Sequence, residues 1–302
     1  MLRTSTALSF SSLLWSLIFL ASMASATPLP KVGIMETAFG NRAQVESVEL
    51  AKQAGYAGVQ IHTGFLDDKG VLDIAQPGRI EAFKEASETH GVEIVSLCAG
   101  LMNRYAAWKP DSREKAISVG TQSILACKAL DVPILLVPFF SRAEFGNDPE
   151  SPKFEAVLSM LAELLPIAEA NEVILAVEGP SKQPIIDVML QTLDHPNLKV
   201  YYDTGNMLDQ GEDVYSVIRH WGPEKIAQIH LKPFQSPQGV FGEGTTDLAG
   251  LAAALRETGY DRWFVFEAGN GTYEKNLEFA TANRLAMQAF LTTLQPVQCE
   301  LP

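Results

Sequence analysis

Four residues stand out because of where their apolar runs stop. Ile174-Leu-Ala-Val-Glu178, Val200-Tyr-Tyr-Asp203, Ala227-Gln-Ile-His230 and Trp263-Phe-Val-Phe-Glu267 are rich in β-branched or aromatic residues. Each reaches a polar side chain and then, within three residues, Gly or Pro. Buried parallel strands that open into functional loops read this way. Three carboxylates and one imidazole are the donor set of a hard or borderline divalent cation. Mn2+, Mg2+ or Co2+ suits it better than a structural zinc site does. Burying three neighbouring carboxylates without a cation is costly. The plain alternative is four unrelated helix caps and surface ion pairs.

The elements that must position these residues can be read in order. Strand-like runs fall at 32–37, 58–62, 92–97 and 134–140, followed by those ending at Glu178, Asp203, Lys232 and Glu267. Helix-like segments fall at 43–54, 78–90, 112–130, 154–170, 185–193, 213–221, 247–259 and 276–294. Ser112 and Asp247 are the expected N-caps of their helices. Strict alternation of eight strands with eight helices predicts a closed (β/α)8 TIM barrel, with its active site at the C-terminal ends of the strands. A doubly wound open sheet is the competitor. No strand is followed by Gly-x-Gly-x-x-Gly, which argues against a dinucleotide-binding version.

Neighbouring residues extend the candidate site. Side chains two apart share a strand face, so Lys232 and Gln228 lie with His230, and His62 lies with Gln60. Lys232 either steadies negative charge on a substrate oxygen or pairs with Glu178 or Glu267. Asn206 either holds a substrate hydroxyl or water, or forms a local turn with Gly205. His62 either contacts substrate or is a satisfied strand-end histidine. Glu243, in Phe241-Gly-Glu-Gly-Thr245, reaches the mouth from a glycine-flanked loop or is plain surface. Phe139 and Phe140 read as core.

The chain has 302 residues and a net charge of −13, from 36 acidic and 23 basic residues. No basic patch interleaved with aromatics is visible, so nucleic acid is not an expected partner. Met1-Leu2-Arg3, the apolar run Leu13–Leu20 and Ala24-Ser-Ala26 have the pattern of a secretory signal peptide over residues 1–26. A single barrel domain is then expected over 27–302, exported to the periplasm or the extracellular space, with no stable membrane insertion after cleavage. An uncleaved anchor is the alternative. Cys98 and Cys127 read as buried free thiols, Cys299 falls in the tail, and no disulfide framework is expected.

The motifs Ala-Val-Glu178-Gly-Pro, Tyr-Asp203-Thr-Gly-Asn206, Ile-His230-Leu-Lys232, Phe-Gly-Glu243-Gly and Val-Phe-Glu267, in this order, resemble the sugar phosphate isomerase/epimerase group of the xylose isomerase-like (β/α)8 barrel superfamily. That group includes ketose 3-epimerases, hydroxypyruvate isomerases and inosose dehydratases. The resemblance implies one divalent metal held by Glu178, Asp203, His230 and Glu267. It implies proton exchange by Glu178 and Glu267 with a small-molecule carbohydrate, α to a carbonyl and through an enediolate. Epimerisation, isomerisation, and dehydration or lyase chemistry on a keto-sugar or inosose all share that first step. A homo-oligomer is compatible with the group. Two features depart from the epimerase pattern: Asn206 stands where many epimerases carry histidine, and the loop after Lys232 has no clear arginine. The rivals are an exported, non-catalytic sugar-binding protein and a metal-dependent phosphodiesterase of the related endonuclease-type barrels. The latter usually carry more histidines than the five present.

Overall fold

A computed structural model describes residues 31–269 and 274–294. The expected signal segment and Cys299 lie outside them. Eight parallel strands form the wall: β1 (Val32–Met35), β2 (Gly58–His62), β3 (Glu93–Cys98), β4 (Ile134–Pro138), β5 (Ile174–Glu178), β6 (Leu198–Asp203), β7 (Ile226–Leu231) and β8 (Phe264–Phe266). Each pairs with the next in chain order, and β1 pairs with β8, so the sheet closes on itself. The helices are α1 (Glu46–Gln53), α2 (Arg79–His90), α3 (Pro110–Ala129), α4 (Pro152–Ala170), α5 (Gln183–Leu193), α6 (Thr204–Asp209), α7 (Val214–Lys225), α8 (Leu248–Thr258) and α9 (Leu277–Thr292). Among the described residues no helix is long and apolar enough to cross a membrane.

The strands are apolar on both faces because both are covered. Tyr201 points into the barrel with Met35, Leu136, Ala176 and Val265. Tyr202, one residue on, packs outward, its hydroxyl donating to Val214 O at 2.8 Å and its ring meeting Trp221 edge-on. Burying each large apolar side chain of this kind contributes ~1.5–3 kcal/mol. Phe139 belongs to the core, as expected, and meets Phe145 edge-on at 5.3 Å. Cys98 and Cys127 are buried free thiols.

Several boundaries differ from those expected, each for a local reason. The fourth strand stops at Pro138, whose ring nitrogen carries no hydrogen for the ladder. Helix α3 begins at Pro110, not Ser112, whose Oγ accepts from Ala106 N instead. Asp247 does cap α8, accepting from Ala249 N. One helix per strand fails between β6 and β7, where Asp203 caps the extra helix α6 through a 2.7 Å bond from Asn206 N.

The first strand also stops early, at Met35, because Glu36 turns its carboxylate inward. Oε1 accepts from Ala43 N and His62 N at 2.6 and 2.7 Å, and Oε2 from Gln44 N and Ser47 Oγ at 3.1 and 3.0 Å. The fully buried Glu36 thus ties the end of β1 to the start of α1 and the end of β2. Glu36→Gln sets an amide donor where two donors already point. It is expected to destabilise the fold by ~2–4 kcal/mol, read as a lower urea midpoint with an unchanged far-UV circular dichroism spectrum.

Candidate metal centre

Parallel register brings the polar strand ends to one level. Asp203 pairs with His230 across β6 and β7, and Leu231 pairs with Phe266, so Lys232 and Glu267 each follow one residue past a strand. Glu178 closes β5. One donor atom from each of Glu178, Asp203, His230 and Glu267 lies within 4.8 Å of the others. His230 Nδ1 is 3.2 Å from Glu178 Oε1, 3.1 Å from Glu267 Oε2 and 3.7 Å from Asp203 Oδ2. His230 is fully buried and Asp203 nearly so, whereas the Glu267 side chain keeps 22% of its exposure. The centre therefore opens on the Glu267 side.

Lys232 folds over the cluster. Its Nζ lies 3.1 Å from both Asp203 Oδ2 and Glu267 Oε2 and donates to Asn206 Oδ1 at 3.2 Å. The expected pairing with Glu267 is present. The pairing with Glu178 is replaced by one with Asp203, because Asn206 Nδ2 donates to Glu178 Oε1 at 3.1 Å. Gly205 permits this approach: a Cβ there would sit 2.8 Å from Lys232 Cδ.

The charges respond to one another. Burial raises the Asp203 carboxyl to about 7; Lys232 opposes this, and the Glu267 and Glu178 carboxylates reinforce it. Burial works against the Glu267 carboxylate too, but the cations Lys232 and His230 outweigh it and hold Glu267 well below its ordinary range. Glu267 is also favoured by the hydrogen-bond donors of His230 and the Asp203 carboxyl, whereas Asp203 takes the repulsion of both glutamates, and this separates the two. Burial would lower the His230 imidazole, yet the Glu178 and Glu267 carboxylates outweigh it and lift His230 to about 10. Burial likewise opposes the Lys232 ammonium, and Asp203 and Glu267 overcome it. Protons and Lys232 thus supply the positive charge that three carboxylates demand. Asp203 Oδ2 and Glu267 Oε2 are buried and meet Lys232 and His230 as ion pairs, without a well-aligned hydrogen bond. Two such oxygens beside an imidazole nitrogen fit a divalent ion with oxygen-rich coordination.

A layer of side chains beneath the cluster sets the histidine tautomer. Val95 O can only accept, so it orients the Gln228 amide, whose Nε2 donates to it at 2.9 Å. Gln228 Oε1 then accepts from Tyr201 Oη at 2.8 Å. With its proton committed, Tyr201 Oη accepts from Gln60 Nε2 at 3.0 Å, and Ser96 Oγ accepts from the same amide at 2.9 Å. Gln60 Oε1 therefore faces His230 Nε2, 2.9 Å away, and takes its proton. The Nδ1 side is left to the carboxylates. A partner on the far nitrogen is what orients a metal-ligating histidine.

The remaining candidates divide. His62 ends β2, is buried, and has Nδ1 3.5 Å from Glu36 Oε1 without a hydrogen bond. It lines a cavity at the barrel mouth. Glu243 is exposed in the loop between β7 and α8, and among the described residues no hydrogen bond or ion pair joins its side chain to the cluster. Sequence reasoning missed Tyr201 and Ser96 and gave Gln60 and Gln228 no role. Their one shared signal is polar side chains on the inward phase of otherwise apolar strands.

Residues 48–286 match the family model described as xylose isomerase-like TIM barrel. A 2-epi-5-epi-valiolone 7-phosphate 2-epimerase from an Actinoplanes species is 26% identical over 215 residues, covering 70% of this chain and 76% of that protein. An L-ribulose-5-phosphate 3-epimerase from Salmonella paratyphi C is 24% identical over 255 residues, covering 80% and 88%. A solved structure of IOLI protein with a binding zinc atom superposes with a TM-score of 0.69 at 17% identity, covering 87% and 99%.

Tyr201→Phe removes the hydroxyl that passes the orientation of Gln228 on to Gln60. It is expected to weaken retention of added Mn2+ by ~10-fold or more while leaving the circular dichroism spectrum intact, as measured by equilibrium dialysis. Retention equal to wild type would mean that the buried layer does not act on His230.

Proposed function

The chain belongs to the xylose isomerase-like TIM barrel family, and from that premise we propose that it is a divalent-metal-dependent carbohydrate isomerase or epimerase. The observation that carries this reading is the meeting of Glu178, Asp203, His230 and Glu267 within 4.8 Å at the ends of consecutive strands. Epimerases among the curated relatives support the substrate class. Mn2+, Mg2+ or Co2+ suits the donor set best, and zinc enters as a candidate through the neighbour solved with it. When bound, such an ion supplies Lewis acidity to a carbonyl oxygen and its neighbouring hydroxyl.

The chain's own residues do the rest. Glu178 and Glu267 are the proton-transfer pair: one takes the proton α to the carbonyl, leaving an enediolate, and the other returns a proton. Return to the other face of the same carbon inverts it, and return to the adjacent carbon moves the carbonyl. Expulsion of a β-hydroxyl from the enediolate gives dehydration, the second outcome open to the same residues. Lys232 holds its ammonium beside the carboxylates, where it can steady negative charge on a substrate oxygen. Asn206, already bonded to Glu178 and Lys232, keeps both in place. His230 and Asp203 would complete the set of residues holding the ion. The signal-like pattern of residues 1–26 supports an exported protein as part of this reading.

Glu178→Gln and Glu267→Gln are each expected to lower deuterium wash-in from D2O into free and 3-keto sugars by ~10²-fold or more, as followed by mass spectrometry with Mn2+ added. Wild-type protein stripped by a chelator should lose exchange and regain it on reloading. Binding of sugar with no exchange from any of them in the wild-type protein would favour a non-catalytic sugar-binding role.

A further inference from the structure

The β1–β4 half of the mouth is built differently from the half that carries the cluster. A cavity of about 610 Å³ opens there, walled in part by Arg42, His62, Phe65, Asn103, Arg104 and Arg142. His62 joins it to the candidate centre, lying two residues beyond Gln60, and so on the same face of β2. Gln60 is the residue that meets His230. The three arginines come from three separate loops, after β1, β3 and β4. Among the described residues none of them has an ion-pair partner, whereas Arg113 and Arg219 pair with Glu163 and Glu257. In a chain with 36 acidic against 23 basic residues, three guanidinium groups without an ion-pair partner share one concavity whose described lining holds no carboxylate.

The loops are braced to hold it. The Arg104 guanidinium lies over the Phe65 ring, 5.0 Å from its centroid. Asn103 Oδ1 accepts from Phe140 N at 2.7 Å, locking the loop after β3 to the loop after β4. Ser141, beside Arg142, sits at φ 55°, a left-handed conformation that costs a non-glycine residue free energy. A second cavity of about 550 Å³ shares Arg104, Ser141 and Arg142 and adds Lys109, Lys115 and Lys153 against Asp111 and Glu144. Guanidinium forks match the paired oxygens of carboxylate, sulfate and phosphate. A neutral sugar offers them no charge to neutralise.

We propose that Arg42, Arg104 and Arg142 form a subsite for an anionic group on the carbohydrate substrate. The sugar lies across the mouth, its carbonyl end at the Glu178–Glu267 cluster and its carboxylate, sulfate or phosphate among the arginines. This deepens the isomerase or epimerase reading and rests on it. The subsite also gives a place to His62, which lines the same cavity two residues beyond the Gln60 that meets His230.

The test uses the full chain with Mn2+ and a matched series: D-fructose, D-fructuronate, D-fructose 6-sulfate and D-fructose 6-phosphate, each titrated by calorimetry. At least one anionic member is expected to bind about tenfold or more tighter than D-fructose. The member that gains most identifies the group. The preference should shrink to within about twofold in the double variant Arg104→Gln/Arg142→Gln, whose exposed positions leave the fold intact, and should persist in Glu267→Gln. Equal affinity across the four sugars, or a preference that survives the double variant, would overturn the subsite. Proton exchange is read separately: no exchange from any sugar alongside an arginine-dependent anion preference would defeat the catalytic reading alone.

Discussion

Like charges removed from water must be offset where they stand. Glu178, Asp203 and Glu267 crowd one imidazole just inside the mouth of a low-dielectric barrel, and the cost of that crowding governs what surrounds them. It explains why Lys232 is drawn across the cluster, why Gly205 is small and why Asn206 is bonded on both sides. Coulomb repulsion over ~4 Å is worth about 4 kcal/mol even at an effective dielectric of 20, which is comparable with much of a domain's net stability. Such an arrangement is retained for what it binds, since an apolar core would be more stable.

The floor of the centre is as constrained as its rim. Five polar groups inside the barrel form one directional path, from the Val95 carbonyl through Gln228, Tyr201 and Gln60 to His230. Each donor is used once in the sense its neighbour requires, so neither amide can flip and the histidine cannot change tautomer without leaving a buried group unpaired. Above it, the mouth is electrically divided. Acid gathers over β5–β8 and cation over β1–β4, and a dipolar substrate would lie along that axis.

How much of this was legible in the sequence follows from distance along the chain. The four strand-end residues were visible because each terminates its own apolar run, a local signal. Period two placed Lys232 beside His230 for the same reason. The path beneath was not legible, since Gln60 meets residues 36, 141 and 170 positions away and only closure of the barrel brings them together. Glu36 read as part of a strand, because a carboxylate that ends a strand looks alike whether it awaits a ligand or accepts four hydrogen bonds. Helix α6 was hidden by its glycine, and the three arginines by lying in separate loops with no shared motif. Glu243 sat within a motif that resembled the family, yet the fold leaves it exposed.

A cation entering the cluster must exchange with the protons held there. Calorimetric titration of Mn2+ in buffers of different ionisation enthalpy measures both stoichiometry and protons released. Asp203 at about 7 and His230 at about 10 are both raised, so each carries more proton in the fold than in the free side chain, and a cation must displace it. Affinity should therefore climb as pH rises from about 6 toward 8, with one ion bound per chain and net proton release near pH 7. Binding that is independent of pH and buffer, or that survives the Asp203→Asn/His230→Gln double variant, would contradict the account.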